Sequence, residues 1–401
     1  MTSSVTPDSK TSRHVGLALL ALATGGFAIG TTEFVTMGLL PQIADGVDIS
    51  IPTAGHVISA YAIGVVAGAP VIAALGARTG RKRLLLGLMA VFVVGNVLSA
   101  VANSYELLMA ARFLTGLPHG AFFGIGVVVG ASMVPVNRRA WAVSMIMVGL
   151  PVANIVGVPV TTLLGQQFGW QLPFVAVGIL GLLTLAAVWF WIDPQPVGHD
   201  VNVRSELSAL AKPQVWMALL VGMVGFGGMF ATYTYITPTM TELAGFSEAA
   251  VTIVLAVYGV GMTGGTLVGG RLADRALMPS LYGGLVAVTV VLGTFGWLAQ
   301  SKAGALIGVF AMGFSASILI PALQTRLMDV AHEGQSLAAS LNHSTLNVAN
   351  ALGAWLGSVV LAAGYGYEWP SRVGAALAVA GLVLALVSGR MDRRTPLARA
   401  G

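Results

Sequence analysis

The chain has 401 residues, of which 56% are apolar and 9% charged, with a net charge of +5 and no cysteine. Soluble domains devote about a quarter of their residues to charge, so this composition, with a mean hydropathy of +0.86, excludes a soluble globular protein and marks an integral membrane protein. The lack of cysteine excludes disulfides, thiol chemistry and S-palmitoylation.

In chain order, apolar runs long enough to cross about 30 Å of hydrocarbon as helices are expected at 15–40, 52–75, 84–103, 105–133, 140–165, 170–192, 213–240, 249–272, 279–300, 303–326, 335–363 and 370–389. Continuous runs of this kind are not the alternating segments of about ten residues that build a membrane barrel. The expected fold is therefore an all-α membrane protein with twelve transmembrane helices. Lys10 and Arg13 precede the first run as they would in a secretory signal, but the run outlasts a signal's apolar core and is expected to stay as the first span.

The location of the basic residues decides what the positive charge means. Lys10, Arg13, Arg78, Arg81, Lys82, Arg83, Arg138, Arg139, Arg204, Lys212, Arg271, Arg275, Arg326, Arg390, Arg393, Arg394 and Arg399 fall on the side holding both termini; Lys302 and Arg372 fall on the other. The positive-inside rule then places both termini in the cytoplasm, and the expected location of this multi-pass protein is a bacterial-type plasma (inner) membrane. The charge reflects topology, and no nucleic-acid partner is expected.

The longest polar break, 193–212, reads as a linker between an N-terminal six-helix bundle, 1–192, and a C-terminal one, 213–401. A shift of 197 residues matches Tyr61 with Tyr258, Gly64 with Gly261, Gly68 with Gly265, Arg78 with Arg275 and Gly116 with Gly313. A shift of 196 matches Val152, Ala153, Asn154 and Gly157 with Val348, Ala349, Asn350 and Gly353. Parallel repeats of six spans imply pseudo-twofold bundles rocking about a substrate site near the midplane.

Glu33 and Arg112 are charged residues inside otherwise apolar runs. A lone ionised side chain at a span's centre costs roughly 2.5–3.5 kcal/mol on insertion scales, so such residues face a cavity, a partner or both. Each lies about seven residues, roughly 10 Å, from the same membrane face, so the pair share a depth and can bridge or exchange partners. At the shift of 197, Glu33 maps to Phe230 and Arg112 to Val309. Desolvation and a nearby guanidinium act on a carboxyl in opposite senses, which is what a proton-coupling site needs. One proton falling through 100 mV and one pH unit supplies roughly 2.3 and 1.4 kcal/mol, enough for a gradient of a few hundredfold. The alternative is a Glu–Arg bridge that only fixes helices, or an arginine snorkelling to the surface.

Several neutral positions join the candidate cavity. His119 returns to nearly the face of Arg112 and can relay protons, bind substrate or simply bond a carbonyl beside Pro118. His343, Asn347 and Asn350 form a stripe on the eleventh run, with Asn154 as the repeat partner of Asn350; such stripes line cavities or glue helices. Tyr61, Tyr258, Phe230, Tyr233 and Tyr235 furnish an aromatic wall or ordinary packing, and Met37 is grouped with them. Gly149, Gly157, Pro159 and Gly165 make the fifth run small-faced and bendable, for close packing. No HExxH, Cys/His cluster, nucleophile–base set or P-loop appears, so no metal, cofactor, enzyme activity or ATP drive is expected.

These residues resemble the major facilitator superfamily, in particular its twelve-span drug:proton antiporters and the AraJ-like and chloramphenicol-resistance-like exporters. The resemblance is carried by Gly30 to Gly38 around Glu33 with Pro41, by Ser50 to His56, by Arg112 to Gly120, and by Asn154 to Gly165 ending in Gly169 and Trp170. The family's loop signature between spans two and three is matched by Leu75, Arg78, Gly80, Arg81 and Lys82, with Ala73 and Ala77 in place of glycine and aspartate; the second copy keeps Gly270, Leu272, Ala273, Asp274 and Arg275. The resemblance implies a cytoplasmic latch at Arg78, Gly80, Arg81, Asp274 and Arg275, with Glu33 and Arg112 as coupling residues, in a proton-coupled exporter of small organic solutes. It names no substrate, since similar proteins move sugars, nucleosides and phenicol-like drugs. The expected partners are a small-molecule substrate, protons and the bilayer, and the expected state is a monomer. A proton-coupled importer and a non-transporting sensor or channel are the alternatives.

Overall fold

The computed structural model describes residues 9–76, 79–135, 138–194, 211–331 and 335–394. Twelve of its helices are long and apolar enough to cross a membrane: Val15–Gly38, Ile51–Gly68, Arg81–Ala100, Tyr105–Ser132, Trp141–Phe168, Leu172–Trp191, Pro213–Tyr233, Glu248–Arg275, Leu277–Leu298, Lys302–Ala331, Leu341–Ala362 and Trp369–Asp392. No strand occurs among the described residues. Helices are what hydrocarbon demands, because each satisfies its own backbone hydrogen bonds. Of the expected linker, 195–210 lies outside the described residues.

The helices pack as two copies of one bundle. The first span lies against the fifth and sixth as the seventh lies against the eleventh and twelfth; the second pairs with the fourth as the eighth pairs with the tenth. Between bundles, the second span meets the eleventh and the eighth meets the fifth, as a pseudo-twofold axis requires.

The repeat extends to single atoms. A Cβ on Gly64 would meet the carbonyl oxygen of Phe113, and one on Gly261 that of Phe310; Gly116 faces Tyr61 O and Val65 N, whereas Gly313 faces Tyr258 O and Met262 N. Every pair is displaced by the same 197 residues. Lipid tails give apolar side chains no reason to leave them for a helix interface, so association depends on backbones approaching closely, and glycine permits it.

Four spans are less regular than the apolar runs imply. The fourth is two helices, Tyr105–Gly116 and His119–Ser132, because Pro118 has no N–H to continue the ladder. The fifth contains a π turn, Ala153–Gly157, directly before Pro159, which lets the helix absorb the missing donor. The seventh run divides into Pro213–Tyr233 and Ile236–Glu242. Likewise the first helix ends at Gly38 and a short buried one, Leu40–Gly46, follows.

Arg326 is a third charge held inside the bundle. It lies inside the tenth helix, Lys302–Ala331, and is buried, pairing with Asp392 at 2.6 Å and donating to Gln214 and Ser388 at 3.2 Å each. That ion pair staples the seventh, tenth and twelfth spans at the end nearest the termini.

At the opposite end, hydrogen bonds clamp the bundles together. Thr237 donates to the carbonyls of Met37 and Gly38 at 3.2 and 2.9 Å, Gln42 donates to the Glu248 carboxylate at 2.8 Å, and Gln166 donates to Glu248 O at 2.9 Å. Ser59 donates to Ala351 O, and Ser358 meets His56 Nε2. The outer surface is apolar, with Phe190, Trp297, Phe168 and Ile307 all exposed, as a lipid-facing belt must be.

Candidate functional site

Arg112 is carried on a helix begun by Ser104, whose side chain accepts from Leu107 N. It is 0% exposed, so its charge needs partners inside the protein. Its guanidinium donates to Thr32 Oγ1 at 3.0 Å and Thr32 O at 2.9 Å, and lies 4.5 Å from the Tyr61 ring centre and 5.4 Å from that of Phe174. Thr32 in turn donates to Asn96 Oδ1 at 2.8 Å, and Asn96 donates to Phe92 O at 2.9 Å. The arginine faces the protein, which removes the snorkelling alternative.

Glu33 is buried at 7% exposure and makes no ion pair or hydrogen bond with any described residue. The shared depth expected of the acid and the base does not become a bridge. Thr32 is the adjacent residue, about 100° round the helix, so a guanidinium docked on both oxygens of Thr32 stands beside Glu33 without gripping it. The carboxylate is within electrostatic reach of Arg112, Tyr61 and Tyr258.

Those tyrosines are used differently. The Tyr61 hydroxyl meets His119 Nδ1 at 2.9 Å, so His119 bonds a phenol rather than the carbonyl expected of a packed histidine. The Tyr258 hydroxyl donates to Met229 Sδ at 3.0 Å, and its ring stacks on Tyr233 at 3.8 Å; Tyr233 meets Phe34 edge-on at 6.0 Å. Phe230 packs on Phe226 at 5.7 Å, and Tyr235 donates to Ala354 O at 3.0 Å. Phe123 lies between two histidines, 5.4 Å from His119 and stacked 5.9 Å from His343 of the other bundle. Met37 is fully buried beneath the clamp, its carbonyl taken by Thr237.

The asparagines are buried and underused. Asn154 donates to Leu150 O at 3.1 Å and Asn347 to His343 O at 3.0 Å, leaving Oδ1 of each without a partner; Asn350 has neither amide atom bonded. The fifth-span residues behave as packing elements. A Cβ on Gly149 would meet Ala23 O, one on Gly157 would meet Thr31, and one on Gly165 would meet Leu39, while Pro159 opens the helix after the π turn.

The latch residues are not brought together among the described residues. Gly80 caps the third span and Arg81 begins it, whereas Asp274 and Arg275 are exposed at the end of the eighth; Arg78 lies outside the described residues. Sequence reading missed Thr32, Asn96, Phe123 and Thr237. The spacing between Asn96 and Arg112 carried no signal, since neutral hydroxyls and amides are common in membrane helices and declare no partner.

Comparison with known proteins places this architecture. The sequence profile of the Major Facilitator Superfamily matches residues 22–338. The chain is 44% identical over 381 residues to the inner membrane transport protein YdhP of Escherichia coli K12, covering 95% of this chain and 98% of that one. It is 31% identical over 359 residues to the chloramphenicol resistance protein of Streptomyces lividans, covering 86% and 89%. A solved bacterial homologue of the human lysosomal transporter Spinster, described as inward-facing and unoccupied, shares the fold with a TM-score of 0.71 at 16% identity over 94% of this chain and 96% of that one.

Proposed function

Because the chain belongs to the major facilitator superfamily and is a multi-pass membrane transporter rather than an enzyme, we propose that it is a proton-coupled exporter of small organic solutes, working by alternating access with Glu33 carrying the proton. The observation that carries this reading is a buried carboxyl group that makes no ion pair with any described residue, next in sequence to the threonine that holds Arg112. A carboxylate locked to an arginine would cost several kcal/mol to protonate away from it; one beside an arginine engaged elsewhere can load and unload. Arg112 supplies a fixed positive field, and the rocking of the bundles changes which tyrosine and which aqueous face the carboxyl meets.

Export, placement in an inner membrane with cytoplasmic termini, a monomeric state and a bundle boundary within 193–212 belong to the same proposal. The names of the Escherichia coli and Streptomyces relatives support membrane and direction, and the distribution of basic residues supports orientation.

The deciding experiment imposes a pH gradient on proteoliposomes and follows chloramphenicol. Wild type is expected to accumulate it against the proton flux. Glu33→Gln, folded by gel filtration, is expected to lose that drive and keep downhill exchange. Full gradient-driven transport in the variant would remove Glu33 from the mechanism; solute moving with the protons would make the carrier an importer.

A further inference from the structure

A cleft of about 360 Å³ opens on the flank of the second bundle, where the eighth span ends and the ninth begins. Leu272 and Arg275, about one turn apart at the end of the eighth, form one side; Pro279, Ser280 and Gly283 of the ninth form the other, and Ile318 of the tenth closes the back. The floor is close-packed, since a Cβ on Gly284 would meet Leu319 and Ile318. The mouth is open: a Cβ on Gly283 would meet nothing within 4 Å.

The ninth helix explains the opening. Its Met278 and Tyr282 lie on Gly389 of the twelfth span, and its Gly284 lies on the tenth. Pro279, Gly283, Val286 and Val290 follow one another on a third face, and all four are exposed. That stripe runs roughly 16 Å along the helix from the cleft into the apolar belt. The first bundle builds the same corner differently. Displaced by 197 residues, Pro279, Ser280 and Gly283 are Lys82, Arg83 and Leu86; Leu86 packs on the first bundle's core and Lys82 donates to Trp189 O at 2.7 Å. The second bundle carries small side chains where the first carries large ones.

The rim is basic. Arg275 is exposed and makes no ion pair with any described residue. Arg271, one turn earlier, is exposed on nearly the same face, whereas Asp274 stands about 100° round the helix from Arg275 and does not line the cleft. The cleft lies at the end of the bundle that holds the termini, which is the cytoplasmic end in the orientation proposed above. Basic pockets between spans at that level suit anionic headgroups.

We infer that this cleft binds an anionic phospholipid of that leaflet, with its phosphate at Arg275 and one acyl chain along the stripe from Pro279 to Val290. A soluble anion would meet the guanidinium and leave the stripe bare. A zwitterionic lipid would cover the stripe and bring no net charge to the arginines. The phospholipid matches both, and it covers a helix face that the chain itself leaves open.

Native mass spectrometry of the full chain in neutral detergent tests this, with dioleoyl phosphatidylglycerol and dioleoyl phosphatidylcholine as probes that share their chains and differ in headgroup charge. One phosphatidylglycerol is expected to bind saturably and in preference to phosphatidylcholine. Arg275→Gln should weaken that binding about fivefold. Gly283→Leu, which places the first bundle's side chain in the open mouth, should weaken it about tenfold or more and leave the lipid-free thermal midpoint unchanged. Arg139→Gln, at an exposed arginine of the first bundle on the same side, should leave the affinity as it was. Equal binding of the two lipids would overturn the inference, as would an unaltered affinity in either cleft variant. Displacement of the lipid by millimolar inorganic phosphate would overturn it in favour of a free-anion site. If Gly283→Leu lowers the midpoint, Arg275→Gln, at the exposed rim, decides alone.

Discussion

The two bundles share a backbone and differ in what they place on it. In the first, Arg112 is tied through Thr32 to Asn96; the positions 197 residues later are Val309, Met229 and Gly293, so the same three-helix junction is apolar. Glu33 becomes Phe230, and Tyr61, bonded to His119, becomes Tyr258, bonded to Met229. The close-packed glycines are kept in both halves while the charge and its supports are kept in one. Packing is thus what the symmetry preserves, and the acid at position 33, Arg112 and the arginine's supports are confined to a single copy.

The sharpest way to break that comparison is to exchange the junctions' polarity. Arg112→Met strips two charge-assisted bonds worth about 1.5–3 kcal/mol each and removes the field beside Glu33. It should abolish gradient-driven transport and lower the thermal midpoint by far more than Val309→Met in the second bundle. Equal losses in the two variants would mean that the arginine serves packing alone.

Symmetry of packing predicts symmetry of damage. Gly116→Ala and Gly313→Ala each push a methyl group onto a tyrosine carbonyl, Tyr61 O or Tyr258 O, and overpacking of this kind costs about 1–3 kcal/mol. Denaturant titration in detergent should give similar losses for both. A cost confined to one would show that the shared backbone contact bears unequal load in the two halves.

A smaller effect is expected at the clamp. Thr237→Val removes a hydroxyl shared by the Met37 and Gly38 carbonyls, a net loss of about 1 kcal/mol, which corresponds to about a fivefold shift between conformers. The chain has no cysteine, so a single Ser59→Cys reports the opening. Its alkylation should speed up about fivefold in the Thr237 variant, and an unchanged rate would take the clamp out of the conformational balance.

The spans, the internal repeat and the two intramembrane charges were all legible in the sequence, because hydropathy, spacing and rare ionised residues are signals a chain cannot hide. The partner of Arg112 was not legible. Depth put it level with Glu33, but whether a guanidinium grips a residue or its neighbour depends on 100° of helix rotation, which no run of apolar residues records. The partner of Arg326 was hidden for a related reason: the residue stands at the end of an apolar run, and only the folded bundle brings Asp392 to it. The breaks at Pro118, before Pro159 and before Pro238 were all foreshadowed by prolines.

The two tyrosines offer the finest test of the difference between the halves. They are repeat partners and each spends its hydroxyl on a neighbour, but one neighbour is an imidazole and the other a thioether. A sulfur is a weak acceptor, so Tyr258→Phe should leave gradient-driven transport within about twofold, whereas Tyr61→Phe, losing a bond worth about 1 kcal/mol, should slow it about fivefold. Should the Tyr258 variant prove the slower, the second bundle would hold part of the proton's route, and the division of labour drawn from Arg112, Thr32 and Asn96 would have to be shared between the halves.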